Sequence, residues 1–129
     1  MTLRKNTGGA YGALRDPRDS TGLRRDMVVV KEYIKAHCRE KLTCEKIARE
    51  MGLSESYLEK LFGREVGATI TEYIRICRME ESKVLLKTTS MRIKDIGHAV
   101  GIESPSWYSN CFHRLYGISP SAYRKKMEE

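Results

Sequence analysis

Apolar residues first fall into register at Met27, Val30, Ile34 and Cys38, at i, i+3, i+7 and i+11, the spacing that lines one face of a helix. Helical structure is therefore expected from about residue 23. The preceding stretch, 1–22, carries Gly8, Gly9, Gly12, Gly22 and Pro17 with little apolar periodicity, as a flexible leader or linker would. Ile47, Ala48 and Met51, following Thr43, predict a short second helix stopped at Gly52. Ser54 then serves as N-cap to a third, with Tyr57, Leu58, Leu61 and Phe62 before Gly67. Thr69-Ile70-Thr71-Glu72 fits a capping box, and Ile70, Tyr73, Ile74, Cys77, Val84 and Leu85 extend one stripe to about Lys87, the longest helix. Arg92 to Val100 follows, stopped by Gly101. Next comes a helix opened by Ser104-Pro105 and left at Gly117, and finally a short one opened by Ser119-Pro120. No strand-like alternation appears, so the fold class read from the pattern is all-α.

The chain also repeats itself. Ile47, Ala48, Gly52 and Leu53 recur 49 positions later as Ile96, Gly97, Gly101 and Ile102. From there the offset becomes 50: Ser54, Phe62, Gly67, Thr69 and Tyr73 recur as Ser104, Phe112, Gly117, Ser119 and Tyr123. Glu103 is the extra residue, and it falls in a turn, where an insertion does not rotate a buried face. Each copy reads as helix, glycine turn and N-capped helix, the sequence form of a helix-turn-helix, spanning about 43–66 and about 92–116. In that motif the second helix lies in the major groove of a duplex.

The helices opened at Ser54 and Ser104 are thus the candidate readers. With Leu58, Leu61 and Phe62, and Tyr108, Cys111 and Phe112, turned inward, the residues left to face DNA are Glu55, Ser56, Glu59, Lys60 and Arg64 in one. In the other they are Ser106, Trp107, Ser109, Asn110, His113 and Arg114. The helix between the copies, about 70–88, has roughly 17 periodic residues and would span about 26 Å. A monomer could then read two adjacent half-sites in successive grooves, about 34 Å apart, especially on a bent duplex.

Charge agrees with a polyanionic partner: 24 Lys and Arg against 17 Asp and Glu give a formal net charge of +7. Residues 1–22 hold four basic and two acidic side chains, so the rest keeps 20 against 15 and remains basic. Cys38, Cys44, Cys77 and Cys111 form no C-x-x-C pair, and His37, His98 and His113 share no ligand spacing, so neither a metal site nor a disulfide framework is indicated. No Gly-rich phosphate loop, His-Glu metal pair or nucleophile elbow points to an enzyme, and no cofactor is expected. No apolar run is long enough to cross a membrane and the start has no signal-peptide core, which makes a cytoplasmic protein the expectation.

The same positions carry a family resemblance: Ile47-Ala48, Gly52-Leu53-Ser54, Tyr57-Leu58, Leu61-Phe62, Gly67, Tyr73-Ile74, Arg78, Leu85-Leu86, Ile93, Ile96, Gly101, Phe112 and Gly117, closed by Ser119-Pro120-Ser121-Ala122-Tyr123-Arg124. Over about 24–126 the chain resembles the DNA-binding domain of AraC/XylS-type transcription regulators. The resemblance implies a domain over 23–129 of seven helices, with two homeodomain-like helix-turn-helix subdomains joined by a long central helix. It also implies double-stranded promoter DNA and RNA polymerase as partners and activation as the usual outcome; since no effector pocket is visible in the chain, no small-molecule ligand is expected in this domain. Departures are Gly101-Ile102 where the family usually has Gly-Phe, and Ile96-Gly97 where it has Ile-Ala. They are expected to loosen the second subdomain, Gly97 by about 1 kcal/mol of helix propensity. Gly63 and His113 stand where a basic residue often follows the helix phenylalanine, which removes phosphate contacts if that position faces the backbone.

Among individual readers, Lys60 suits guanine or a phosphate, Asn110 suits adenine, and Glu59 could accept from a cytosine amine. Glu55 can instead favour its helix N-terminus through the dipole. Trp107, aligned with Tyr57, either leans on the rim of its subdomain or packs on a thymine methyl. Ser54, Ser104 and Thr69 are read as caps. A helical protein-interaction module with weakened DNA binding is the alternative, raised by the two carboxylates of the first reader.

Overall fold

The computed structural model describes residues 20–129, with side chains from residue 26 onward. Among them are seven helices and no strand: α1 Ser20–His37, α2 Cys44–Met51, α3 Glu55–Val66, α4 Ile70–Thr88, α5 Ile93–Ala99, α6 Pro105–Tyr116 and α7 Pro120–Glu128. Of the leader expected over 1–22, residues 1–19 lie outside the described residues and 20–22 already belong to α1. No described helix is long and apolar enough to cross a membrane.

The described chain forms two compact units, one containing Leu42–Ile74 together with α1, the other Cys38–Lys41 with Arg75–Glu129. In the first, α1 buries Met27, Val30, Tyr33 and Ile34; α2 adds Ile47, Ala48 and Met51; α3 adds Leu58, Leu61 and Phe62. The helix ends follow from local chemistry. Thr43 and Ser54 sit in extended backbone and accept from the amides of Lys46 and Tyr57, satisfying donors that a helix start leaves unpaired. At α4 the capping box closes in both directions: Thr69 N donates to Glu72 Oε1 and Glu72 N to Thr69 Oγ1, each at 3.0 Å.

The second unit has its own core of Met79, Leu86, Ile96, Val100, Ile102, Tyr108, Cys111 and Phe112. The Phe112 ring meets Tyr108, Tyr116 and Tyr123 edge to face. Two half-buried arginines, Arg78 and Arg124, tie chain segments to it through backbone carbonyls. Arg78 donates to the carbonyls of Cys38 and Glu40, and Arg39 pairs with Glu81 at 2.7 Å, which fastens the short 38–41 segment to this unit. Arg124 donates to the carbonyls of Leu86, Met91 and Thr89 at 3.1, 2.6 and 3.1 Å, capping the end of α4.

The two turns match as the repeat requires. Leu53 N donates to Ala48 O at 2.9 Å, and 49 positions on Ile102 N donates to Gly97 O at 2.8 Å. Gly101 must be glycine twice over, because its φ is +95° and a Cβ would lie 2.8 Å from the Arg39 carbonyl oxygen. The extra residue, Glu103, has its carbonyl satisfied by His98 Nε2 at 2.9 Å; since a carbonyl only accepts, that ring nitrogen carries the proton.

Two expectations need correction. The single stripe drawn along α4 holds at Ile70, Ile74 and Cys77 but fails at Val84, which is exposed, while Met79, Ser82 and Leu86 are buried. The cause is that α4 serves two cores, Ile70 and Ile74 in the first unit and Met79 and Leu86 in the second, so its buried face shifts midway. The second is Gly97: a Cβ there would lie 3.2–3.3 Å from Tyr108 Cδ2, Cγ and Cβ, so the missing methyl is what admits the larger ring. Propensity is lost at that residue, but packing is not loosened.

Candidate nucleic-acid interface

In the first unit, α3 buries the three residues expected and turns Glu55, Ser56, Glu59, Lys60 and Arg64 to the exposed side. Arg64 lies 3.9 Å from the neighbouring Glu65, a loose pair on an exposed surface that leaves its guanidinium available. Gly63, which leaves the position after Phe62 without a basic side chain, has nothing within 4 Å of where a Cβ would stand.

Beneath Glu59 lies a contact that spacing in the sequence does not reveal. Cys44, at the start of α2, Glu55 and Glu59 bring a sulfur and two carboxylate oxygens within 4.8 Å of one another. Burial and the Glu59 and Glu55 carboxylates push the Cys44 thiol up to about 11. Near neutral pH the metal-free group is therefore a protonated S–H beside the Glu59 carboxylate. An open hollow of ≈ 350 Å³ adjoins it, lined by Cys44, Glu59, Gly63, Thr69, Ile70 and Thr71.

In the second unit, Ser104 accepts from Trp107 N at 3.2 Å and Pro105 occupies the first position of α6, where its missing N–H is harmless. Ser106, Trp107, Asn110, His113 and Arg114 are exposed, and Ser109 is half-buried. Trp107 is 46% exposed, so the packing of its aligned partner Tyr57, which is half-buried, is not repeated. One aromatic face is instead covered by a cation: Arg75 Cζ stands 5.3 Å from the ring centroid. Burial pushes the Cys111 thiol up, while the charges of Arg75 on α4 and Arg114 on α6 itself act the other way.

Sequence reasoning missed Arg75, because its 32-residue separation from Trp107 carries no periodic signal. Arg78 and Arg124, which the family resemblance included without a role, turn out to be internal anchors.

A family model described as "Helix-turn-helix domain" matches residues 47–126. The Msm operon regulatory protein of Streptococcus mutans is 34% identical over 77% of this chain and 36% of its own length. The chain belongs to the AraC/XylS family of transcription regulators. Also similar is the lactose operon transcription activator of Staphylococcus xylosus, 33% identical over 72% of this chain and 33% of that protein. A solved AraC-type regulator structure from Chromobacterium violaceum superposes with a TM-score of 0.79 at 27% identity, covering 84% of this chain and 97% of that one. This AraC/XylS chain therefore spans about a third of the length of those curated relatives, which are named as regulators rather than enzymes.

Proposed function

We propose that this chain is the operator-reading domain of a transcription activator, with α3 and α6 entering successive major grooves of promoter DNA at two unlike half-sites. The observation that carries the reading is the duplication. Each unit ends a glycine turn in a capped helix whose inner face is buried and whose outer face is polar. The outer faces differ, Glu55, Glu59, Lys60 and Arg64 against Ser106, Trp107, Asn110, His113 and Arg114, so the two half-sites differ in sequence. Lys60 takes guanine or phosphate, Asn110 an adenine edge, and Glu59 a cytosine amine with the lone pairs its thiol partner leaves open. Activation is supported by relatives named for operon control, and it requires contact with RNA polymerase. No effector is assigned to this domain.

Binding to a randomised duplex library at several salt concentrations tests the reading. Affinity should fall with salt at a log–log slope of about −0.9 per phosphate contact. Weak, salt-insensitive binding would favour the second reading, a protein-interaction module, which the paired carboxylates of α3 motivate.

A further inference from the structure

We propose that Arg75 is a positioning residue that holds Trp107 as the reader of a thymine methyl in the half-site read by α6. The inference rests on the DNA-reading function proposed above and adds a residue and a base chemistry to it.

Three observations on the second unit converge. Trp107 lies in the first turn of α6, the part of a recognition helix that meets base edges, and 46% of it is exposed. The residue's backbone is already fixed by the Ser104 cap, which leaves the open part of the indole free to meet a base edge. Arg75, half-buried on α4, lays its guanidinium 5.3 Å from the indole centroid. Because the indole belongs to α6, a guanidinium at that distance stands beside this helix, and its charge also acts on Cys111 one turn further along.

A side chain with two free torsions loses contact energy to rotamer averaging unless something holds it. A cation on the ring face restrains both torsions while leaving the remaining edge uncovered. In the major groove, the apolar group that such an edge can meet is the C5-methyl of thymine. Asn110, three residues on and exposed, presents its amide on the same side of the helix and suits a neighbouring adenine. The first unit has no such device: the aligned Tyr57 is half-buried.

The experiment takes the operator that wild type selects from a random library and replaces each thymine in turn by deoxyuridine, which deletes only the methyl. At one thymine of the α6 half-site, wild type should lose about fourfold in affinity, the worth of one buried carbon. Arg75→Ala and Trp107→Ala should each erase that difference, and the double variant should erase no more. Arg75→Lys should retain most of it. Trp107 is the single tryptophan of the chain, so its fluorescence anisotropy without DNA reads the restraint directly and should fall in Arg75→Ala. If Arg75→Ala does not fold, Arg75→Gln, which keeps the stem, takes its place. The proposal is overturned if the Arg75 variant keeps full thymine–uracil discrimination, and a salt slope reduced by about one would then mark Arg75 as a phosphate ligand. Failure of wild type to bind any duplex would overturn the function itself, an outcome distinct from wild-type binding with discrimination intact in the variant.

Discussion

Gly97 and Tyr108 fit each other: a Cβ on Gly97 would stand 3.2 Å from Tyr108 Cδ2, and the ring is fully buried. In the first copy of the repeat, the same two positions are Ala48 and Leu58, both buried. A smaller residue on the first helix accompanies a larger one on the second, so each unit fills its interior by a different division of volume. The Tyr108 hydroxyl forms no hydrogen bond among the described residues despite its proximity to Ser82, and burial pushes its pKa up.

The sign of Gly97→Ala follows from two opposed magnitudes. Alanine gains about 1 kcal/mol of helix propensity, while overpacking a filled core costs about 1–3 kcal/mol. Cβ and Cγ of Tyr108 lie closest to its own backbone and cannot swing aside, so the variant should be less stable by about 1 kcal/mol. Combining it with Tyr108→Leu restores the pairing of the first copy. Urea unfolding of both single variants and the double should then show favourable coupling of about 1 kcal/mol; strict additivity would contradict the fit.

Arg124 should be a stability residue rather than a DNA contact. Its three bonds to carbonyls at and beyond the end of α4 come from a fork that lysine cannot reproduce. Arg124→Ala should lower stability by about 2–3 kcal/mol, and Arg124→Lys should recover less than half of that. Denaturant midpoints at unchanged m-value would report it.

Lys60→Ala and Asn110→Ala should fail differently. Both side chains are exposed on reading helices, but one is a point charge and the other a paired donor and acceptor. The lysine variant should bind all sequences more weakly, with the salt slope reduced by about one if its contact is a phosphate. The asparagine variant should relax preference at one base pair, by about 1–3 kcal/mol. Selection from a random library with each variant separates the two; an unchanged preference for Asn110→Ala would remove it from the readout.

Cys44 should resist alkylation well above the pH where free thiols react. It is half-exposed whereas Cys38, Cys77 and Cys111 are buried, yet burial and the carboxylates of Glu59 and Glu55 push it up to about 11. Because the folded thiol holds its proton more tightly than an unfolded one near 9, its contribution to stability is complete below pH 9. That contribution is lost as pH rises through about 11. Glu59→Gln should bring the thiol down and speed iodoacetamide labelling at pH 8.5, as followed by mass spectrometry.

Helix starts, helix stops and buried faces were readable because each depends on residues within one or two turns of each other. Ser54, Ser104, the Thr69–Glu72 box and the inner triplets of α3 and α6 all behave as local rules require. The α4 stripe was misread at Val84 because periodicity assumes one core per helix, and α4 has two. The exposed faces of α3 and α6 follow to the same degree: the outward residues are those left once the inward ones are placed, with Ser109 alone half-buried.

From its own sequence, then, this protein is an all-α chain with a duplicated helix-turn-helix and a basic balance, since hydrophobic period, capping and repeat are all properties of order along the chain. Only the tertiary structure decided that Gly97 makes room for Tyr108, that Arg124 closes the end of α4, that Cys44 meets Glu59, and that Arg75 covers Trp107. Those pairs join residues 11 to 38 positions apart through packing, and no period in the chain encodes a distance in space.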